Sequence, residues 1–511
     1  MVKIARDYPD ILIEAFDFIN GVVDSLSHKP RELSQMEKVT LQEALLIINN
    51  NFHNFDKQSS FINKVLSPVS VIWVEMKQAF SSPLEFMSFV GLDKAPVEPS
   101  ENDVNGQNRA QITFCVNLIL AVIKRSEFPS DPDTAERGGF VLERSESGAV
   151  VCRNPATPHV MPLLHQLFCF ARLFNSLWHP EATASVSMGY GKAQNLPDAE
   201  RNNILGLANS NNTDPCADSP KVQQPLERMQ CFLTMMHENC YHILGNAGPS
   251  LGLQFYQHQH LTDYIIHSSL ANLSLIPDYR LRPIIRTFFK PFFQWCPPQC
   301  YQTVLLPILN HLCPYMLERL SVRWGHLSSL IESGSYEEEN TDTQEMLEDL
   351  LIRMLTREYI DLLKVVLIRG PRGGLQQESG EGMDTEMEVC SALPATPEAL
   401  SELGQLVLGC DTICQAIVTT LLKVLWWQDS CACLKGVGVV GQVLRWLAGE
   451  GQHLHLSPDA VHQVMTAVLH GLNTHGQHDA NQSALLSLGL TTYETFRPNF
   501  PSIREACICL T

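Results

Sequence analysis

Apolar residues recur along this chain at spacings of three and four. In DILIEAFDFINGVVDSL, Leu12, Ala15, Phe16, Ile19, Val22, Val23 and Leu26 fall on one side of a helix. This is the i, i+3, i+4, i+7 stripe of an amphipathic rod. The same spacing runs through LQEALLIINNNF (Leu41–Phe52), FINKVLSPVSVIWVEM (Phe61–Met76), AQITFCVNLILAVIKR (Ala110–Arg125) and HVMPLLHQLFCFARLFNSLW (His159–Trp178). It continues in LERMQCFLTMMHENCYHIL, LTDYIIHSSLANLSLI, TVLLPILNHLCPYMLERL, MLEDLLIRMLTREYIDLLKVVLI and ICQAIVTTLLKVLWW. Strand-like sequence is confined to FVLERSESGAVV (Phe140–Val151), which predicts at most a small hairpin.

Helices that follow one another, broken near Gly, Pro, Asn or Asp, predict an all-α fold. The expected architecture is an α-solenoid of HEAT-like antiparallel helix pairs, an ARM-repeat-like superhelix with disordered loop insertions. A single closed bundle is disfavoured because one core stops growing near ~250–300 residues. The reading places HEAT-like repeats at 1–90, a loop at 91–109, and a repeat at 110–180 interrupted by an insertion at 126–157. A disordered insertion is expected at 181–224, repeats at 225–331, and an acidic loop at 332–343. A helix at 344–369, a disordered acidic loop at 370–397, repeats at 398–497 and a tail at 498–511 complete it. The insertions are rich in Pro, Gly, Ser and charge and poor in apolar anchors. The first apolar stripe starts close to Met1 without a polar cap, so the sequence reads as part of a longer array.

One segment stands apart. RLRPIIRTFFKPFFQWCPP (Arg280–Pro298) lies in a stretch with no acidic residue between Tyr279 and Leu317. Pro277 and Pro297–Pro298 read as turns bracketing a helix, with Pro283 in its first turn and Pro291 bending or ending it. Ile284, Ile285, Phe288, Phe289 and Phe292 form the apolar stripe. Arg282, Arg286 and Lys290, at i, i+4 and i+8, form a basic line away from it, with Phe293 near that line. A solvated face is the plain reading of such a line.

Composition changes the picture in two ways. A formal net charge of −19 argues against non-specific coating of nucleic acid over the whole surface, and makes a locally basic segment notable. The 45% hydrophobic content supplies a continuous core. The longest uncharged apolar run, near Ile112–Ile123, is too short for the roughly 20 residues that span a bilayer. No signal-peptide order marks the N-terminus. The sixteen cysteines are scattered, mostly within apolar runs such as those around Cys115, Cys169 and Cys313, which suits buried thiols in a reducing compartment. The expectation is a soluble intracellular chain in which the sequons at Asn272 and Asn481 are silent.

Motifs that resemble catalytic ones do not meet their own requirements. KGVGVVG (Lys435–Gly441) matches G-x-G-x-x-G but lies among helical flanks with no βαβ alternation, so helix packing is the simpler role. HENCYH (His237–His242) puts its two histidines about 140° apart on a helix, where a zinc-protease motif keeps them on one face. His470, His475 and His478 read as a polar turn. Cys431/Cys433 and Cys507/Cys509 lack C-x-x-C spacing. The chain is expected to be no enzyme and to need no cofactor.

SSPLEFMSFVGLDKAP (Ser81–Pro96), LERMQCFLTMMHENCYHILGNAGPSL (Leu226–Leu251), IPDYRLRPIIRTFFKPF (Ile276–Phe292), QEMLEDLLIRMLTREYIDLL (Gln344–Leu363) and LNTHGQHD (Leu472–Asp479) carry a resemblance. The chain resembles the C-terminal part of karyopherin-β nuclear export receptors, in the branch that exports precursor microRNA and other structured RNA. The resemblance covers most of the chain. The N-terminal repeats that make the family's main contact with Ran-GTP have no counterpart here, and the tail EACICLT departs from a continuing array. The resemblance implies partners: Ran-GTP, mostly through repeats absent here, double-stranded RNA with a 3′ overhang such as precursor microRNA, and nuclear pore proteins. It implies shuttling between nucleus and cytoplasm, with no membrane insertion. An A-form stem is recognised through phosphates and 2′-hydroxyls. That expectation raises Arg282, Arg286 and Lys290, with neighbouring Arg280, as an RNA-backbone contact, and Arg353 and Arg357 as a second pair. No RNA- or Ran-contacting motif of the family aligns residue by residue, so the assignment rests on charge. Two alternatives stay open: a protein-binding scaffold without RNA cargo, and an incomplete, non-transporting fragment.

Overall fold

The computed structural model describes residues 1–28, 33–98, 100, 102–144, 150–207, 224–334, 343–368, 399–449, 458–498, 500 and 503–504. The chain is an all-α solenoid. Its longer helices are α1 (Phe16–His28), α2 (Gln35–Asn49), α3 (Phe55–Glu75), α4 (Val104–Arg125), α5 (Leu164–Ser176) and α6 (Pro225–Leu251). Next is α7, built from Asp278–Pro283, a π-helical turn Ile284–Phe289 and Lys290–Gln294. Then follow α8 (Leu306–Glu332), α9 (Gln344–Leu367), α10 (Asp411–Val424), α11 (Ser430–Gly449), α12 (Pro458–His475) and α13 (Asp479–Phe496). The only strands among the described residues are β1 (Val141–Arg144) and β2 (Val150–Cys152), paired antiparallel as the hairpin reading predicts. Two compact units divide the chain: residues 1–311 with 333–351, and residues 312–332 with 352–511.

In the first unit α4 packs against α2, α3 and α6, and α6 packs in turn against α5 and α7. The stripe of α4 is buried through Ile112, Cys115, Val116, Ile119, Val122 and Ile123. That of α6 is buried through Phe232, Met236, Cys240, Tyr241, Ile243, Leu244 and Ala247. In the second unit α11 and α12 both pack on α13, and α10 packs on both of them. Helix starts are capped by local side chains. Ser34 Oγ accepts from the Glu37 N–H while the Glu37 carboxylate accepts from the Ser34 N–H at 2.7 Å, a capping box that opens α2.

Several polar stretches read as loops turn out to be joints. Residues 104–108, expected in a loop, are the first turn of α4. Asp103 caps that turn by accepting from the Gly106 N–H at 2.8 Å. Asn105 and Asn108 donate to the Phe89 carbonyl, each at 2.8 Å, and Arg109 donates to that of Val90 at 2.6 Å. Their polarity serves the open carbonyls at the end of the helix Pro83–Val90. The insertion at 126–157 is tied down where Phe55, Ala135 and Phe140 cluster and the Arg153 guanidinium lies 3.6 Å from the centre of the Phe55 ring. The disorder expected at 181–224 is corrected for 181–207. Short helices Pro180–Ala184 and Asp198–Ile204 form there, Tyr190, Ala193 and Leu196 are buried, and Leu196 packs with Leu347 and Leu351. Anchors this sparse do not register as periodicity. The acidic stretch 370–397 lies outside the described residues, as do most of 332–343 and of the tail 498–511.

The single N-terminal rod predicted over Asp10–Leu26 is broken. Pro9 opens a short helix, Pro9–Leu12, and α1 begins only at Phe16. Proline disfavours helical geometry in the residue before it, which separates this helix from Val2–Asp7 at Tyr8. Among the described residues no single helix is long and apolar enough to cross a membrane, and every cysteine is a free thiol. The KGVGVVG stretch lies inside α11, where a Cβ on Gly436 would meet Val424 Cγ1 of α10 at 3.0 Å; the glycine serves helix packing.

At Gly245 the backbones of α6 and α7 approach closely. A Cβ there would lie 1.8 Å from the Thr287 carbonyl oxygen of α7. Gly245→Ala is expected to lower stability by about 1–3 kcal/mol, as overpacking does, because backbone stands in the way. Gly438→Ala, in α11 with nothing within 4 Å of the added carbon, is expected to raise stability by up to about 1 kcal/mol. Urea unfolding of the two variants checks both signs.

Candidate nucleic-acid interface

The basic segment owes its geometry to its prolines. Pro277, extended, is the N-cap of α7, and the bracketing turns lie where expected. Pro283 is not in the first turn, however. It ends the opening α-helical stretch, and the π turn Ile284–Phe289 follows directly. Proline has no N–H to donate and its ring crowds the carbonyl four residues back, so a wider turn relieves the helix. Thr287 Oγ1 donates back to the Pro283 carbonyl inside that turn. Pro291 falls in the first turn of Lys290–Gln294 and is accommodated there.

Ile284, Ile285, Phe288, Phe289 and Phe292 are all buried, as the stripe predicts. Phe293 is buried as well, stacked on Phe289 with ring centres 5.8 Å apart. Of the basic line, Arg286 is exposed and Arg282 and Lys290 are half-buried, so its middle member is the most accessible.

Arg280 does not belong to it. Its side chain is 2% exposed and donates from Nη2 to Thr234 Oγ1 of α6 at 2.7 Å. Burial pushes its pKa down, opposed by Tyr279, Glu200 and Glu238. A guanidinium in that position braces α7 against α6 and is withdrawn from any phosphate.

Arg353 and Arg357 belong to the packing of the second unit. Arg357 makes a two-pronged pair with Asp429, 2.9 and 3.1 Å, and that carboxylate is 1% exposed. Asp429 Oδ1 also accepts from the N–H groups of Cys431 and Ala432 at the start of α11. Arg353 donates to the Gln428 carbonyl and lies 5.8 Å from the centre of Trp324, which stacks on Trp427. Both arginines therefore hold α9 to the turn before α11. His475, expected in a polar turn, is buried and donates to the Trp427 carbonyl at 2.9 Å, securing the same turn.

Sequence reading missed His242 of α6, on which both Lys124, in the last turn of α4, and Arg286 act electrostatically. Burial, then Lys124, then Arg286 push the His242 imidazole down to about 4. No one-dimensional signal joins them, since they lie on different helices. His237, the other histidine of HENCYH, is fully buried with its ring against Phe174 and Tyr241. Among the described residues no group of three or more His, Cys, Asp or Glu could hold a metal ion.

The two kinds of arginine separate by stability. Arg357→Gln leaves the buried Asp429 carboxylate without its cation and is expected to cost about 2–3 kcal/mol. Arg286→Gln is expected to stay within about 0.5 kcal/mol of the parent. Denaturant midpoints followed by tryptophan fluorescence, with Trp324 and Trp427 reporting on the second unit, distinguish them.

The Exportin-5 family model matches residues 1–510. The chain is 37% identical to human Exportin-5 over 99% of its own length and 42% of that protein. It is 36% identical to the mouse protein over 98% of its own length and 42% of that protein. Exportin-5 of Dictyostelium discoideum is 21% identical over 73% of this chain and 32% of that protein. The chain thus spans about two-fifths of the length of the human and mouse relatives.

Proposed function

Because the chain belongs to the Exportin-5 family, we propose that it forms part of a nuclear export receptor that carries structured double-stranded RNA, with Ran-GTP as the controlling partner. The receptor moves between nucleus and cytoplasm and contacts pore proteins on the way. The chain binds and performs no bond-making chemistry of its own. One observation supports the RNA reading above the others: a chain of net charge −19 reserves an acid-free stretch, folds it into α7, and leaves Arg286 exposed and Arg282 and Lys290 half-buried beside its buried stripe. A duplex read through its backbone needs a local row of cations and no base-specific groups. The precursor microRNA stem with a short 3′ overhang is the cargo this reading assigns. Contact with Ran-GTP is assigned mainly to repeats outside this chain.

The reading is tested with a hairpin RNA titrated against salt. Replacing Arg282, Arg286 and Lys290 together by Gln is expected to weaken binding about 10- to 100-fold. The slope of log affinity against log salt should flatten by about 0.9 for each phosphate contact removed. Equal affinity and slope in parent and variant would reject the row. A pull-down with Ran-GTP is expected to give weak capture by this chain alone; strong Ran-dependent RNA capture would contradict the placement of the Ran contact.

A further inference from the structure

Arg280 is a cation held where cations are costly. It is 2% exposed, its Nη2 donates to the Thr234 hydroxyl at 2.7 Å, and its Nε has no hydrogen-bond partner among the described residues. The guanidinium lies 5.5 Å from the centre of the Tyr279 ring, and Glu200 and Glu238 act on it electrostatically. Burying a guanidinium against a neutral hydroxyl costs free energy that water or an anion would return.

The segment 190–205 is fastened on both sides of this residue. Tyr279, just before Arg280, donates from its hydroxyl to the Gln194 carbonyl at 2.9 Å. Gln230 of α6 donates to the Lys192 carbonyl, also at 2.9 Å. Gln230 and Thr234 are one turn apart on one face of α6, so that face grips the segment at one residue and Arg280 at the next. Leu196, Ile204, Leu205 and Tyr279 gather against Leu347 and Leu351, and Glu200 lies in the short helix Asp198–Ile204. Gln194 adds a bond from Nε2 to the Leu177 carbonyl at 3.2 Å. A segment with so few anchors opens at a lower free energy than the helices it is fastened to.

We propose that residues 190–205 are a strap covering Arg280, and that the strap opens to give this guanidinium to a phosphate of the RNA backbone. The ligand rests on the RNA-carrier reading; the strap does not. Opening breaks the Tyr279 and Gln230 bonds to the strap and the Leu196 contacts. It returns Arg280 to water, and a phosphate then meets a charge-assisted donor at the N-terminal end of α7, where the basic row starts. RNA binds the open form better by that contact, so it shifts the population toward opening. Apparent affinity scales with the open fraction, so whatever loosens the strap tightens RNA binding.

Two variants of the full chain loosen the strap. Leu196→Ser weakens its apolar anchor. Tyr279→Phe removes one hydroxyl and keeps the ring, so the test does not depend on the folding of the harsher variant. Phenylglyoxal, which modifies accessible guanidinium groups, reads opening without RNA, with the exposed Arg286 as internal standard. Peptide mass spectrometry is expected to show Arg280 labelled about five-fold faster in Tyr279→Phe than in the parent, the factor one ordinary hydrogen bond supplies, and faster still in Leu196→Ser. Hairpin RNA, followed by fluorescence anisotropy, should bind about three- to five-fold more tightly to both variants. Adding Arg280→Gln should abolish the gain, and adding Arg280→Lys instead should keep part of it, which separates a lost charge from a lost fold. Arg280 labelled as fast as Arg286 in the parent, or labelling that neither variant changes, would overturn the strap. A gain that survives Arg280→Gln, or no gain despite faster labelling, would overturn the transfer of Arg280 to phosphate. Faster labelling with no RNA binding by parent or variants would uphold the strap and overturn the carrier reading instead.

Discussion

The close approach of α6 to α7 at Gly245 controls what the first unit can present. With no side chain at Gly245, the backbone of α6 reaches the carbonyl of Thr287. That contact fixes the rotation of α7 about its axis. With Thr287 turned toward α6, Ile284, Ile285 and Phe288 enter the core and Arg286, one residue before Thr287, emerges at the surface. Tyr241 and Phe288, with ring centres 6.0 Å apart, pack across the same junction, and Arg280 bonds to Thr234 a few turns away. A bulkier residue at 245 would move the basic row along with the helix that carries it.

The π turn completes this arrangement. A regular helix through Pro283 would carry a ring clash and an unpaired carbonyl. The wider turn absorbs both while keeping the apolar stripe inward, and it alters the angular spacing between Arg282 and Lys290 relative to a uniform helix. The prolines that made the segment look hard to reconcile with a helix are thus the reason for its local geometry.

Periodicity revealed what was periodic. The stripes of α3, α4, α6 and α7 were legible because each buries residues at spacings of three and four. Segments held by single anchors escaped it. Tyr190, Ala193 and Leu196 fasten an irregular stretch, and Asp103, Asn105 and Asn108 are polar because they complete helix ends. The candidate interface was half legible. Charge spacing located Arg286, but it could not show that Arg280 turns inward or that Asp429, seventy-two residues from Arg357, supplies that arginine with a counter-charge. Nor could it join Lys124 to His242, because that proximity exists only once α4 and α6 have packed.

Arg286 and Arg357 show why a count of charges is a poor guide to binding. Both sit four residues from another arginine on an amphipathic helix. Arg357 meets a buried carboxylate in bidentate geometry, so its charge is used within the fold. Arg286 is exposed; it acts on Glu238, whose pKa burial raises, and on His242, whose pKa burial, Lys124 and Arg286 lower. Salt screens exposed charges over about 8 Å at physiological ionic strength, so most of the chain's excess acid does not reach this point. An overall negative charge and a locally basic segment are therefore compatible, provided the acid is kept at a distance, as the acid-free stretch from Arg280 to Leu317 keeps it along the chain.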